Sequence, residues 1–263
     1  SAVANGFLDV EGIDVIILYP KNKVSNIQEK QLTTNGKNIT ALEVDGSFDD
    51  CQSLVKSAFV DRDLRGSMNI TSANSINISR LIPQSFYYVN SLKYIDNIVF
   101  SVPSGNFGNL TAGIFAKAMG FNISRFVAST NINDVFPKYL KNKIFTPKPS
   151  VETISNAMDV GNPSNIRRLN TIFSNSVSQI NQEILSWSYS DKQTLEALKF
   201  VHESCGYILD PHGAVGYLGA RSYLKKFGSD GKVVVLGTAH PSKFIDSIEA
   251  LDISVPIPDQ VKE

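Results

Sequence analysis

The sequence predicts an α/β protein built on a parallel β-sheet covered by helices on both faces, a three-layer architecture. Three observations carry that expectation. Short apolar runs bounded by turn residues alternate with longer segments of helical spacing. The runs at 14–19, 98–102 and 233–236 are apolar almost throughout, as strands buried on both faces are. Polar segments follow or face these strands, and such sheets bind ligands at the carboxyl ends of their strands.

The elements follow in order. The strand 14–19 ends at Pro20. A helix over 25–34 stops at Asn35-Gly36, and 39–44 is a second strand. Ser47 is placed to cap a helix whose Phe48, Cys51, Leu54, Val55, Ala58 and Phe59 keep helical spacing. Residues 66–77 form a polar loop. A helix over 78–91 tolerates Pro83 only in its first turns. Strand 98–102, loop 103–109, helix 110–119 and strand 123–129 come next. Residues 141–165, rich in Pro, Asn and Lys, read as irregular. Helices are expected near 165–174, 191–204 and 212–226, then strand 233–236 and a helix starting near Pro241.

The 263 residues are enough for one large domain or two modest ones, and 42% hydrophobic content supplies a sizeable core. Lys+Arg and Asp+Glu both number 25, which argues against a nucleic-acid partner or a polybasic membrane binder. No apolar run is long enough to span a bilayer. Cys51 and Cys205 lie far apart without metal-ligand spacing, so a reducing, cytoplasmic setting is expected and a disulfide framework is not. The N-x-S/T triplets at Asn38, Asn69, Asn77, Asn109 and Asn122 read as chance matches in an Asn-rich chain.

Three segments carry chemistry. In Pro103-Ser104-Gly105-Asn106-Phe107-Gly108-Asn109 a strand runs into a glycine-containing loop and then a helix. A phosphate needs converging N–H donors and close backbone approach, which glycines and a helix start provide. Ser104, Asn106 and Asn109 offer side-chain donors. The Gly-Lys-Ser/Thr ending of a P-loop is missing, and so is the G-x-G-x-x-G fingerprint. An ordinary strand-to-helix turn accounts for the glycines equally well.

Thr71-Ser72-Ala73-Asn74-Ser75-Ile76-Asn77-Ile78-Ser79-Arg80 combines small donors with a guanidinium, a combination suited to a carboxylate or phosphate. The bland alternative is a polar loop with Ser75 or Asn77 as N-cap and Arg80 as a solvated helix residue. In Gly237-Thr238-Ala239-His240-Pro241, Thr238 stands at the carboxyl end of a strand taken to be central, and its hydroxyl suits a neutral ring nitrogen. His240, before a proline, reads as structural, and His212 as a residue near a helix start.

Together these segments resemble the threonine synthase family, which has the tryptophan-synthase-β-like fold of fold-type-II pyridoxal-phosphate enzymes. The resemblance covers essentially the whole chain. It also includes Ile17-Leu18-Tyr19-Pro20 and Ser155-Asn156-Ala157-Met158-Asp159-Val160. It implies pyridoxal 5'-phosphate as cofactor, its phosphate held by Gly105, Asn106, Phe107, Gly108 and Asn109. It implies Thr238 as partner of the pyridine nitrogen, and Asn74, Ser75 and Arg80 as ligands of the substrate phosphate. The implied reaction is that of a carbon–oxygen lyase, turning O-phospho-L-homoserine and water into L-threonine and phosphate. Two phosphates need two anion sites, and the sequence offers two.

The family's Schiff-base lysine, and a Ser/Thr-Gly-Asp/Asn-Thr-Gly loop, precede the helix that residues 1–7 resemble. The sequence is therefore expected to begin just after them and to contain no catalytic residue. Lys243 lies outside the family's lysine motif. Methionine excision before Ser1 is the other account of the start. The resemblance also implies a remnant of a small movable domain at 1–75, a large phosphate-binding domain at 76–263, and a monomer or homodimer. Two alternatives to a threonine synthase remain: another lyase of the same cofactor family, of the serine or threonine dehydratase kind, and a non-catalytic ligand-binding relative.

Overall fold

The computed structural model describes residues 2–95, 97–228 and 232–258. They fall into two compact units, Ser1–Ala73 and Asn74–Glu263. The division lies two residues before the boundary expected from the sequence, so Asn74 and Ser75 belong with the second unit.

In the first unit, β1 (Val15–Pro20) pairs in parallel with β2 (Ile39–Val44), from Val15 opposite Ile39 to Pro20 opposite Val44. The helix Asn26–Thr33 connects them and opens with a reciprocal Ser25–Gln28 capping box. Ser47 and Asp50 form a second such box at the start of the helix Phe48–Val60, as the spacing predicts. The apolar β1 run was expected to be covered on both faces, yet Ile16 is 65% exposed. A short helix, Arg62–Ser67, takes up the start of the expected loop.

The second unit carries β3 (Ile98–Pro103), β4 (Ile123–Thr130), β5 (Ile184–Ser188) and β6 (Val233–Val235), in the spatial order β5-β4-β3-β6 and parallel throughout. The period-two geometry of a strand divides its side chains between two faces. Phe100, Val102, Phe126 and Ala128 turn to one core with Tyr88 and Leu110, from the helices Leu81–Ser91 and Gly108–Ala118. Tyr88 stands edge-on to Phe100 and Phe126, with ring centroids 4.8 and 5.9 Å away. Fully burying each such side chain contributes about 1.5–3 kcal/mol.

Ser101, Val127 and Ser129 turn to the other face, against the helix Pro211–Phe227. A Cβ at Gly219 of that helix would lie 1.9 Å from Ser129 Oγ, and one at Gly216 3.0 Å from Val235 Cγ1. These glycines let the helix lie close on the sheet. Ser101 Oγ donates to Gly216 O at 2.5 Å, so a hydroxyl on the sheet face is paired although buried. The result is the three-layer arrangement the sequence predicts.

Two details differ from expectation. β6 is the end strand among the described residues and pairs only with β3, so Thr238 follows an edge strand rather than a central one. The helices Val135–Asn142 and Val177–Glu183 and the strand β5 appear where the sequence pattern marked none.

Candidate functional site

β3 ends at Pro103, and the chain then turns through residues 104–107 into the helix starting at Gly108. Phe107 is the hinge of that turn, in the left-handed region at φ 62°, ψ 15°. A bulky side chain is costly there, by roughly 1–3 kcal/mol. Its ring is 3% exposed and packs 4.6 Å from the Phe136 centroid, which holds the conformation in place.

The backbone consequence is the central feature of the site. Ser104 N–H donates to Ser129 O at 2.8 Å, and Thr111 N–H donates to Phe107 O at 3.0 Å. Between them, among the described residues, the N–H groups of 105–110 donate to no protein acceptor. The same stretch lines a pocket of about 180 Å³, together with Ser75, Gln84, Pro103 and Ser104. Whole-ligand clefts run to roughly 300–1,000 Å³, so this pocket suits one anionic group of a larger molecule. Unpaired N–H groups in a left-handed turn at a helix start make an anion-binding concavity. A run of open donors of this kind fits the phosphate of pyridoxal 5'-phosphate.

The glycines, expected to admit a phosphate closely, also have a packing role. A Cβ at Gly105 would lie 2.7 Å from Met158 Cα and 3.0 Å from Ala157 O. A Cβ at Gly108 would lie 2.7 Å from Ser75 Cβ. Their absent side chains let two distant segments, the turn at 155–159 and Ser75, close around the loop.

The side chains proposed as donors are largely engaged with protein. Ser104 Oγ donates to Val102 O at 2.8 Å. Asn106 is a hub: its Nδ2 donates to Ser75 Oγ at 2.8 Å, and its Oδ1 accepts from Ser164 N at 2.6 Å and Ser164 Oγ at 3.0 Å. Asn165 Nδ2 donates to Asn106 O at 2.9 Å. Asn109 Oδ1 accepts from the buried Tyr88 hydroxyl at 2.9 Å. Burial holds the Tyr88 phenol well above its ordinary pKa, so it stays a neutral donor.

Ser75 joins the two expected anion segments. Besides accepting from Asn106, its hydroxyl donates to Asn74 Oδ1 at 3.1 Å. Asn77, not Ser75, caps the turn Ile78–Arg80, accepting from Ser79 N at 3.0 Å. Arg80 closes that turn and is half-buried. The pocket lining includes Ser75 but not Asn74, Arg80 or Thr238. Thr238 is exposed beyond β6, whose Val235 pairs with Ser101 of β3, so it leaves the sheet at the same edge as the glycine loop.

Two contributors escaped the sequence reading. Arg168 Nη1 donates to Ser75 O at 2.8 Å and to Asn165 Oδ1 at 2.5 Å, and Nη2 donates to Ile76 O, clamping the Ser75 segment. Gln84 lines the pocket, and its buried Oε1 finds no hydrogen-bond partner among the described residues. An arginine beside buried Ile166 and Leu169 carries no sequence signal of this role.

A family model described as pyridoxal-phosphate dependent enzyme matches residues 7–239. The chain belongs to the pyridoxal-phosphate-dependent enzyme family. Within that family it is 46% identical to the threonine synthase of Haemophilus influenzae, over 98% of this chain and 61% of that protein. The crystal structure of Escherichia coli threonine synthase superposes with a TM-score of 0.91 at 40% identity, covering 99% of this chain and 61% of that one. The PLP-bound threonine synthase of Brucella melitensis gives 0.86 at 31% identity, over 99% and 62%. The chain thus spans about three fifths of the length of these relatives.

Proposed function

We propose that this chain is part of a threonine synthase, the lyase that converts O-phospho-L-homoserine and water to L-threonine and phosphate. The observation that carries the reading is the run of N–H groups at 105–110 that, among the described residues, find no protein acceptor, in the stretch that lines a pocket with Ser75. The high identity to threonine synthases supports the choice of reaction.

In this reading the backbone of Gly105, Asn106, Phe107, Gly108 and Asn109 holds the cofactor phosphate. Bound there, pyridoxal 5'-phosphate supplies the electron sink that carbanion chemistry requires. Thr238 would offer its hydroxyl to the pyridine nitrogen, a neutral partner that need not protonate the ring. Asn74, Ser75 and Arg80 bind the phosphate that leaves the substrate, with Arg80 contributing the charge. Asn106, through Ser75, sets the spacing of the two phosphate sites. A small movable first unit, a cytoplasmic setting and a monomeric or homodimeric state complete the proposal.

The pocket lining contains no lysine and no acid or base. Proton transfer needs such a group within hydrogen-bond reach. The 263 residues alone are therefore expected to bind phosphate and form no threonine. A protein of the relatives' full length containing this segment is expected to release threonine and phosphate from O-phospho-L-homoserine. There Arg80→Ala should raise KM at least about tenfold, the scale of losing one charged phosphate contact. Cofactor-loaded full-length protein that makes no threonine would contradict the reaction assigned.

A further inference from the structure

The turn that walls Gly105 is held from behind by a histidine. His212 is 3% exposed, in the first turn of the helix Pro211–Phe227. Its Nδ1 lies 2.8 Å from Oδ1 of Asp210, which is equally buried. Asp210 is itself fixed by its cap bonds from His212 N at 2.9 Å and Gly213 N at 3.3 Å. A carboxylate accepts, so Nδ1 carries the ring proton and Nε2 presents a lone pair. That lone pair receives Ala157 N–H at 3.2 Å. Ala157 lies in the turn Asn156–Met158, whose Ala157 O and Met158 Cα come close enough to Gly105 to exclude a side chain there.

The same ring packs 4.9 Å from the ring of Phe244, in the segment that follows Thr238. One buried imidazole therefore touches the turn behind the phosphate cradle and the chain beyond the proposed pyridine partner.

We propose that His212, oriented by Asp210, is a positioning residue for the phosphate cradle, acting through Ala157 on the turn that walls Gly105. This rests on the reading of 105–110 as a phosphate site. His212 is not among the residues lining the pocket, so its effect is on affinity through the wall.

Two substitutions separate its contacts. His212→Asn can reach Asp210 in place of Nδ1 but leaves the Ala157 N–H unpaired. His212→Gln can place an oxygen near the Nε2 position and keep that bond. Inorganic phosphate is titrated into the 263-residue protein, following the amide signals of Gly105 and Gly108 by NMR. His212→Asn should weaken phosphate binding about tenfold and His212→Gln less than about threefold. Leu198→Ala, a buried change on the helix Asp191–Cys205, should lower the melting temperature and leave phosphate affinity unchanged.

In the unsubstituted protein, the Ala157 amide and His212 Nε2 signals should shift in step with Gly105 on saturation. Equal affinities for the Asn and Gln variants, or static Ala157 and His212 signals in a protein that binds phosphate, would overturn the proposal. An unsubstituted protein that binds no phosphate at Gly105 would instead defeat the cradle reading on which it rests.

Discussion

At Phe107 a core side chain and the proposed phosphate site share one position. Its backbone is bent into the left-handed region to open the N–H groups, and its ring fastens that bend against Phe136. Phe107→Ala should therefore cost about 3–5 kcal/mol of stability, measured by urea unfolding, and also weaken phosphate binding. Asp159 makes a different prediction. Its carboxylate accepts from Asn131, Asn133 and Thr153, which favours ionisation. Burial is the larger influence and pushes its pKa up from 3.8 to about 6. The native state then holds this proton more tightly than the unfolded chain does. The group's stabilisation is full below its unfolded value of 3.8 and is lost as pH rises through about 6. Unfolding free energies between those two limits should fall with pH, and Asp159→Asn should flatten that slope.

At the scale of elements, the close seating of the helix Pro211–Phe227 on β3 and β4 depends on Gly219. Gly219→Ala would place a methyl 1.9 Å from Ser129 Oγ. The expected loss is about 3 kcal/mol, read from the urea midpoint at unchanged slope. The strands and helices with strong periodicity, such as β3 and the helix Phe48–Val60, were legible in the sequence. β5 was not, because Ile184-Leu185-Ser186-Trp187-Ser188 mixes small polar and apolar residues. It is held as a strand by its neighbour, with Ser186 Oγ donating to Ala128 O at 2.7 Å. The strand–loop–helix turn at 103–109 was legible in the sequence, but the packing role of its glycines was not. Met158 and Ser75, the groups a Cβ would strike, come from distant parts of the chain. The unpaired N–H groups likewise depend on which carbonyls the fold brings near, and residue types do not encode that locally.

At the scale of the molecule, every residue lining the pocket lies in the unit Asn74–Glu263. Residues 74–263 alone should thus bind inorganic phosphate within about threefold of the whole chain, a difference under 1 kcal/mol, by the same amide titration. The phosphate cradle is tested most directly by a crystal structure of this protein with pyridoxal 5'-phosphate. The expected result is phosphate oxygens about 2.7–3.2 Å from backbone nitrogens within 105–110, with Phe107 still left-handed. Phosphate bound elsewhere, or those N–H groups paired with protein carbonyls in the complex, would contradict it.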